Sequence, residues 1–182
     1  MRSLVLAAAL LAAPAAHATG IEIDVAGSTT GTIAIDLLED VAPAHVERIV
    51  TLAQSGAYDG VVFHRVIDGF MAQTGDVQHG RLGGNMALAG TGASDMDDLP
   101  AEFSDVPFER GVVGMARSAD PNSANSQFFI MFDAAPHLNG AYTVVGRVTD
   151  GMDVVDAIKR GTGGNGAVEG EPDRMEAVRV AD

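Results

Sequence analysis

The sequence of 182 residues contains no cysteine and no tryptophan, and only 5% of its residues are aromatic. Without cysteine the chain can form no disulfide, no thiolate nucleophile, no thiolate metal site and no lipid-modified N-terminal cysteine. The absence does not identify a cellular compartment, because a cysteine-free chain tolerates oxidising surroundings without requiring them.

Basic residues are also scarce, with 11 lysines and arginines against 25 acidic residues and a formal net charge of −14. Because phosphate backbones and anionic lipids attract cationic proteins, we expect no nucleic-acid partner and no membrane partner. The apolar content of 47% is too high for a disordered chain, and 22 glycines without a repeat exclude collagen. The length fits one domain with a sizeable core.

No apolar run is long enough to span a bilayer, which takes about 20 residues, but the first 18 residues have the pattern of a leader. Arg2 supplies a positive region, an apolar stretch follows at residues 4–13, and Ala16-His17-Ala18 is a small-x-small cleavage site. This pattern predicts a secretory signal peptide at residues 1–18 and a single domain at residues 19–182. We expect an exported protein, in the periplasm if the source has two membranes. The alternative is an N-terminal helix docked on the domain.

Hydrophobic periodicity predicts a mainly β domain with two helices. Alternation at residues 21–25 and 32–37 predicts a hairpin, and a 3.6-residue period from Pro43 predicts a helix that ends near Gly56. Further short strands are predicted at 61–66, 71–73, 112–116, 128–132, 143–148 and 174–180, with a second helix at 152–159 capped by Asp150. Many short strands with two helices favour a closed antiparallel barrel, because closure removes exposed sheet edges. The long irregular section between residues 80 and 109 is expected to be functional or packed over one face.

Two motifs suggest cofactor or metal sites, and neither has the right context. Residues 161–166 match G-x-G-x-x-G, but a dinucleotide site needs a strand before the glycines and a helix after them. Here a predicted helix precedes and a polar loop follows, so we interpret the segment as a flexible loop. Residues 95–98 begin like a calcium loop, but Leu99 and Pro100 stand where a ligand and a glycine are needed. The histidines of the domain lack metal-ligand spacing, and we expect no cofactor and no metal.

One segment combines an arginine, two large apolar side chains and a neutral amide within nine residues, namely Arg65, Phe70, Met71 and Gln73. If Arg65 and Gln73 lie on adjacent strands joined by a turn at 68–69, their side chains can point to one face. Taken singly, such an arginine is usually a surface charge and the apolar pair is usually core. Together they predict an apolar cup with a cationic rim, which suits a neutral, carbonyl-rich ligand.

The same segment resembles the signature of the cyclophilins, the peptidyl-prolyl cis–trans isomerases. The resemblance continues through Gly111–Arg117, Asn125–Ile130 and Leu138–Val148, in the order of the family, and covers the chain from about Ile23 to Val180. It implies a mainly β fold, a closed eight-stranded antiparallel barrel capped by two α-helices. It also implies isomerisation of X-Pro bonds in proline-containing peptides and unfolded exported proteins, and we expect a monomer.

The resemblance assigns roles to ten residues of this sequence. Arg65 matches the catalytic arginine of the family. The other nine match substrate-binding positions: Phe70, Met71, Phe129 and Leu138 in the walls of the proline pocket, Gln73, Ala116 and Arg117 where the peptide main chain is held, and His137 and Tyr142 beside them.

Three of these positions depart from the commonest eukaryotic pattern. His137 replaces a tryptophan, and loss of the indole ring and its N–H predicts weak or no cyclosporin binding. Tyr142 replaces a histidine and keeps an aromatic wall. Arg117 replaces an asparagine, and its charge near the peptide path predicts a preference for acidic flanking residues. Because a histidine can change charge between about pH 5 and 8, we expect peptide affinity to vary with pH in that range.

Two other functions remain open on the sequence alone. The pocket could belong to a binding module that holds proline peptides as a holdase or scaffold, although the set Arg65, Phe70, Gln73 and Phe129 favours an enzyme. A hydrolase could be built around His64, since catalytic triads assemble in space and not in sequence. We expect His64 instead to form hydrogen bonds inside the barrel wall.

Overall fold

The computed structural model describes residues 19–162 and 165–181. The predicted leader at residues 1–18 lies outside the described residues, as do Gly163 and Gly164 of the loop interpreted above as flexible. In the described part of the chain, no helix is both long and apolar enough to cross a membrane.

The described residues form nine strands and two α-helices. The strands are β1 (Gly20–Ala26), β2 (Gly31–Leu37), β3 (Val61–Val62), β4 (Arg65–Ile67), β5 (Met71–Thr74), β6 (Val112–Met115), β7 (Phe128–Met131), β8 (Val144–Asp150) and β9 (Arg174–Ala181). The helices are α1 (Pro43–Gln54) and α2 (Met152–Ala157), and short 3₁₀ turns occur at Met86–Leu88 and Pro136–Leu138.

All nine strands belong to one curled sheet, in the order β3-β9-β1-β2-β8-β6-β7-β5-β4, and every named pair is antiparallel. The predicted mainly β fold with two helices is therefore confirmed, but the sheet is a curled half-barrel instead of a closed one, since its end strands β3 and β4 do not pair, and it has nine strands instead of eight. The difference arises at Phe63 and His64, which divide the strand predicted at 61–66 into β3 and β4. These two strands are the ends of the sheet order, and only two residues of chain separate them.

The predicted amphipathic patterns explain how the first elements pack. β1 and β2 form the expected hairpin, and their alternate apolar residues are buried in the main core. Helix α1 begins at Pro43 and buries Val46, Ile49 and Leu52 against that core. Helix α2 differs from the prediction, because its N-cap is Gly151, at a positive φ of 82°, and no side chain caps it. A side chain at Gly151 would collide with the Thr32 carbonyl, so close packing of the turn on β2 explains the glycine.

A second cluster of buried apolar residues lies on the other side of the sheet from the main core. Its members are Met71, Phe108, Val112, Phe129, Met131, Ala135, Leu138 and Val144. Gly114 makes room for this cluster, since a Cβ there would lie 2.6 Å from an atom of Phe108 and 2.7 Å from an atom of Phe129. The cluster therefore provides a packed base for the side chains that line the candidate site.

Buried polar groups hold the long irregular section against the sheet. The carboxylate of Asp76 accepts backbone hydrogen bonds from Gln78, His79, Gly90 and Gly92 at 2.7–3.1 Å. Burial alone would raise the pKa of Asp76, but these four N–H groups outweigh burial and lower the pKa below its usual value. The section is thus packed over one face, as predicted.

Side-chain and backbone groups of helix α1 also bind the long irregular section. The buried guanidinium of Arg48 donates to the carbonyls of Asp97 at 2.7 Å and Asn125 at 3.3 Å. The Glu102 carboxylate lies 2.6 Å from Nδ1 of His45 and accepts the backbone N–H groups of Ala44 and His45. Burial would raise the pKa of Glu102, but these hydrogen bonds lower it overall. Residues 97 and 102 of the section are therefore fixed to a helix that is distant in sequence.

We expect Asp76→Asn to lower the free energy of unfolding by about 2 kcal/mol at pH 7, because a charged acceptor of four hydrogen bonds is lost. The pKa of Asp76 is lowered by folding, so its stabilising effect is complete above the pKa of an unfolded aspartate, about 3.9. The effect is lost as the pH falls through the pKa of the folded state, and the difference from the parent protein should shrink there. Urea unfolding at pH 7 and at pH 3 measures both quantities.

The matched control is Asp95→Asn, an exposed aspartate in the same section. We expect this substitution to change stability by less than about 0.5 kcal/mol. Equal losses for the two variants at pH 7 would contradict the role assigned to Asp76.

Candidate active site

A cavity of about 290 Å³ opens beside β4, β5 and β7, and its lining brings together all ten residues singled out in the sequence. They are Arg65, Phe70, Met71, Gln73, Ala116, Arg117, Phe129, His137, Leu138 and Tyr142. Six different segments of the chain contribute, so the cavity exists only in the folded domain.

Arg65 and Gln73 occupy directly opposite positions on the antiparallel strands β4 and β5. The turn between them contains Gly69 at a positive φ of 66°. Opposite residues project from the same face of a sheet, and Nη1 of Arg65 donates to Oε1 of Gln73 at 3.1 Å. The sequence-based expectation that these two side chains share one face is therefore met.

Gln127 was not recognised as a site residue from the sequence, although it stands two residues before Phe129. The Gln73 Nε2 donates to Oε1 of Gln127 at 3.0 Å, and the Gln127 Nε2 donates to the Gly92 carbonyl at 2.8 Å. These bonds fix which end of the Gln73 amide faces Arg65, because an amide donates only from nitrogen. The signal available in the sequence was the position of Gln127 inside the Asn125–Ile130 motif.

The guanidinium of Arg65 is half-buried and is held by neutral acceptors. Its Nε donates to the Asn165 carbonyl at 2.8 Å, and Nη1 lies 4.0 Å from the sulfur of Met71. Burial lowers the pKa of Arg65 and the nearby Tyr142 partly offsets this, yet a guanidinium is so strongly basic that Arg65 stays protonated at neutral pH. No carboxylate of the described residues forms an ion pair with Arg65. The site thus holds a permanent and uncompensated positive charge.

Packed aromatic rings form the apolar wall of the cavity. Phe129 is only 5% exposed, stacks on Phe108 at 5.8 Å between ring centroids, and meets Tyr142 edge to face at 5.9 Å. Phe70 stacks on the imidazole of His137 at 5.8 Å. Because each ring rests on another, the cavity is shaped before any ligand arrives.

Arg117 lines the cavity, but its guanidinium already forms hydrogen bonds with nearby backbone carbonyls and packs on an aromatic ring. Nη1 donates to the Ser118 carbonyl at 2.9 Å, Nη2 donates to the Ala141 carbonyl at 2.8 Å, and the charged carbon lies 4.3 Å from the centre of the Tyr142 ring. Arg117 therefore braces the aromatic wall, a role that the sequence did not suggest. Its predicted preference for acidic flanking residues stays a prediction.

His64 is buried as predicted, with only 7% of the residue exposed, but neither of its ring nitrogens has a partner of good hydrogen-bond geometry among the described residues. Its predicted hydrogen bonds inside the barrel wall stay a prediction. Gly90 lies close to the ring edge, where a Cβ would come within 3.0 Å of Nε2. Burial lowers the pKa of His64, which favours the neutral ring. A hydrolytic base needs a nucleophile and an orienting group within reach, and His64 pairs with neither.

A second cavity, of about 400 Å³, adjoins the first and shares Gln73, Ala116 and Arg117 with it. Its remaining lining is small or polar and comes from residues 90–93, Asp98, Ser118, Ser123 and residues 125–127. Together the cavities form one cleft with an apolar end and a polar end. No group of three or more potential metal ligands occurs in the part of the chain that the structure describes.

Comparison with known protein families gives one extended match. The family model for cyclophilin type peptidyl-prolyl cis-trans isomerases matches residues 21–180. A probable peptidyl-prolyl cis-trans isomerase of Brucella suis is 59% identical over 155 residues, which cover 84% of this chain and 79% of that protein. The peptidyl-prolyl cis-trans isomerase CYP18-1 of Arabidopsis thaliana is 37% identical over 136 residues, covering 75% of this chain and 81% of that protein.

Solved structures show the same fold. The cyclophilin AquaCyp293 of Hirschia baltica superposes with a TM-score of 0.70 at 26% identity, covering 88% of this chain and 73% of that one. A cyclophilin type isomerase of Cryptosporidium parvum, crystallised in the presence of the dipeptide Ala-Pro, has a TM-score of 0.73 at 23% identity and covers 90% of this chain and 99% of its own. By family model, by curated relatives and by fold, the chain belongs to the cyclophilin family and is a peptidyl-prolyl cis–trans isomerase.

Proposed function

We propose that the apolar cavity holds the prolyl ring of an X-Pro peptide while Arg65 faces the amide bond that rotates. The observation that carries this proposal is a protonated guanidinium, fixed by neutral acceptors, on the rim of a packed apolar cavity. Gln73 and the chain at Ala116 and Arg117 would hold the peptide main chain, and the polar second cavity would receive a flanking side chain. The Cryptosporidium protein crystallised with Ala-Pro is consistent with this use of the fold.

The reaction needs no nucleophile and no general base, because no covalent bond is made or broken. Amide resonance imposes a barrier of about 18–20 kcal/mol, and an uncatalysed X-Pro bond isomerises in tens to hundreds of seconds. Turnover in milliseconds requires an acceleration of roughly 10⁴, which corresponds to about 5–7 kcal/mol. The site therefore has to stabilise the twisted amide by that amount over the planar one.

Arg65 provides one part of this stabilisation. In the twisted amide the prolyl nitrogen loses resonance and regains a lone pair, which can accept a hydrogen bond from the guanidinium. A preorganised donor in a water-poor site contributes about 3–4 kcal/mol to a transition state. The half-buried position of Arg65 and the absence of a competing carboxylate among the described residues meet this requirement.

The apolar wall provides another part. A ring held between Phe129, Met71 and Leu138 cannot follow the rotation, so the main chain on the other side of the bond must turn. Transfer from water to an apolar cavity also weakens the charge-separated resonance form of the amide, which favours the twisted state. His137 offers no indole N–H, and on this ground we propose that cyclosporin binds weakly or not at all.

We further propose that the substrates are X-Pro bonds of exported proteins, acted on in the periplasm by a monomer. The leader pattern at residues 1–18 supports export, and the absence of cysteine suits an oxidising compartment. Isomerisation of X-Pro bonds is slow enough to limit folding, so an isomerase placed where exported chains fold would shorten that step.

We expect Arg65→Ala to reduce kcat/KM by a factor on the order of 10²–10³, because the donor to the prolyl nitrogen is lost. Arg65→Lys should restore little activity, since an ammonium lacks the planar fork that Gln73 and Asn165 hold. Exchange NMR on an Ala-Pro or Phe-Pro peptide measures the rate directly. Near-normal rates in a folded Arg65→Ala variant would refute the mechanism, and binding without acceleration by the parent protein would favour the binding-module alternative.

We expect Phe129→Ala to lower the free energy of unfolding by about 3–5 kcal/mol and also to raise KM, because Phe129 is both core and cavity wall. Phe108→Ala is the matched control, since Phe108 is equally buried behind Phe129 but does not line the cavity. Thermal unfolding and kinetics well below the melting temperature separate the two effects. An equal rise of KM in both variants would show that contact with the peptide is not the cause.

We expect the chain, produced with residues 1–18 in a bacterium with two membranes, to accumulate in the periplasm without those residues. Mass spectrometry of the periplasmic fraction should find Thr19 as the first residue. A variant lacking residues 4–13 is the control and should stay uncleaved in the cytoplasm. Uncleaved parent protein in the cytoplasm would contradict the export proposal.

A further inference from the structure

The glycine-rich motif at residues 161–166 has no role in the proposed function. Its residues 161, 165 and 166 nevertheless lie next to the strand that carries Arg65. Val66 donates its backbone N–H to the Gly166 carbonyl at 2.7 Å, and Gly161 donates to the Val66 carbonyl at 2.9 Å. Arg65 and Ala167 form an isolated antiparallel bridge. The chain at 165–167 therefore lies along the free edge of β4 and is joined to it by one isolated bridge.

One carbonyl of this stretch contacts the guanidinium itself. The Asn165 oxygen accepts the Nε–H of Arg65 at 2.8 Å, while Gln73 accepts from Nη1 at 3.1 Å. Two acceptors on different sides of a planar fork fix both its position and its rotation. Among the described residues no acceptor is found for Nη2, the nitrogen that remains for a substrate.

The local sequence is suited to keeping this carbonyl in place. Oδ1 of Asn165 accepts the backbone N–H of Ala167 at 3.2 Å, which closes a turn around the carbonyl. Gly166 has a positive φ of 78°, and a Cβ there would lie 2.3 Å from Cγ1 of Ile67. A Cβ at Gly161 would lie 2.0 Å from the Gly166 carbonyl oxygen. Only glycine at both positions lets the stretch approach β4 closely enough to reach Arg65.

We propose that Asn165, Gly166 and Ala167 form a support that positions the Arg65 guanidinium for catalysis, with Asn165 as the positioning residue. The inference rests on the proposed function of Arg65. It gives the first and last glycines of the motif, Gly161 and Gly166, a physical reason that has nothing to do with a nucleotide. Asn165 acts through Arg65 and does not line the cavity, so its loss should lower kcat and leave KM for the peptide unchanged.

The test compares Asn165→Ala with two matched variants. Asn165→Ser keeps a neutral oxygen that can accept from Ala167 and should retain most of the parent kcat. Thr162→Ala changes an exposed residue of the same loop and should have no effect. In Asn165→Ala we expect kcat to fall by roughly threefold to tenfold, the range for weakening one hydrogen bond.

An NMR signal of Arg65 provides a readout that a merely structural change would not move. In Asn165→Ala the Nε–Hε resonance should shift upfield and its exchange with water should accelerate by a similar factor, and both should largely recover in Asn165→Ser. In a background of Arg65→Ala, the further substitution Asn165→Ala should cause no additional loss of rate.

An unchanged Nε–Hε resonance in Asn165→Ala would overturn the proposal, as would an equal loss of rate in the presence and absence of Arg65. These results differ from a failure of the proposed function. If the parent protein had no isomerase activity, the proposed role of Arg65 would fall, while the resonance would still report whether Asn165 holds the guanidinium.

Discussion

The cleft depends on the hydrogen bond between Arg65 and Gln73, two residues that face each other across β4 and β5. The hairpin is short, so their relative position is set by backbone pairing and not by flexible loops. Gln73 is in turn oriented by Gln127, whose amide is fixed by a carbonyl of the long section that Asp76 anchors. A series of hydrogen-bonded neutral amides thus fixes the position of the Arg65 side chain relative to the long section.

The neutrality of these partners matters as much as their positions. A carboxylate beside Arg65 would fix the guanidinium more strongly, but it would offset the charge that the prolyl nitrogen is meant to meet. Carbonyl and amide oxygens orient the group through its N–H bonds and leave its net charge intact. Elsewhere the protein pairs exposed arginines with carboxylates, as Arg110 with Asp156 and Arg179 with Asp24. Arg65 is held by neutral oxygens, as are Arg48 and Arg117, so its full charge remains available beside the cavity.

Local features of the fold were predictable because they depend on short-range pattern. Alternation located β1 and β2, the 3.6-residue period located α1, and the spacing of Arg65 and Gln73 about a turn predicted their pairing. The family motifs led to ten residues that do surround one cavity, although their individual roles await experiment. These features require no knowledge of which distant segments meet.

Most of the features that sequence reasoning missed depend on hydrogen bonds to backbone carbonyls. Asn165 is 100 residues from Arg65 in the sequence, and nothing in its residue type predicts that its backbone carbonyl accepts a hydrogen bond from that arginine. Arg117 donates to the carbonyls of Ser118 and Ala141, which also could not be read from the side-chain pattern. Every residue has a carbonyl, so the pattern of side chains carries little information about which one is used.

The two ends of the sheet meet at the strand that carries the active arginine. β3, which leads into Arg65 after only two residues, pairs with β9, the last strand of the chain. β3 is therefore held in register by a strand that lies far along the chain. A polypeptide truncated before β9 would leave β3 without this pairing, and the loss would reach Arg65 through the two residues that follow β3.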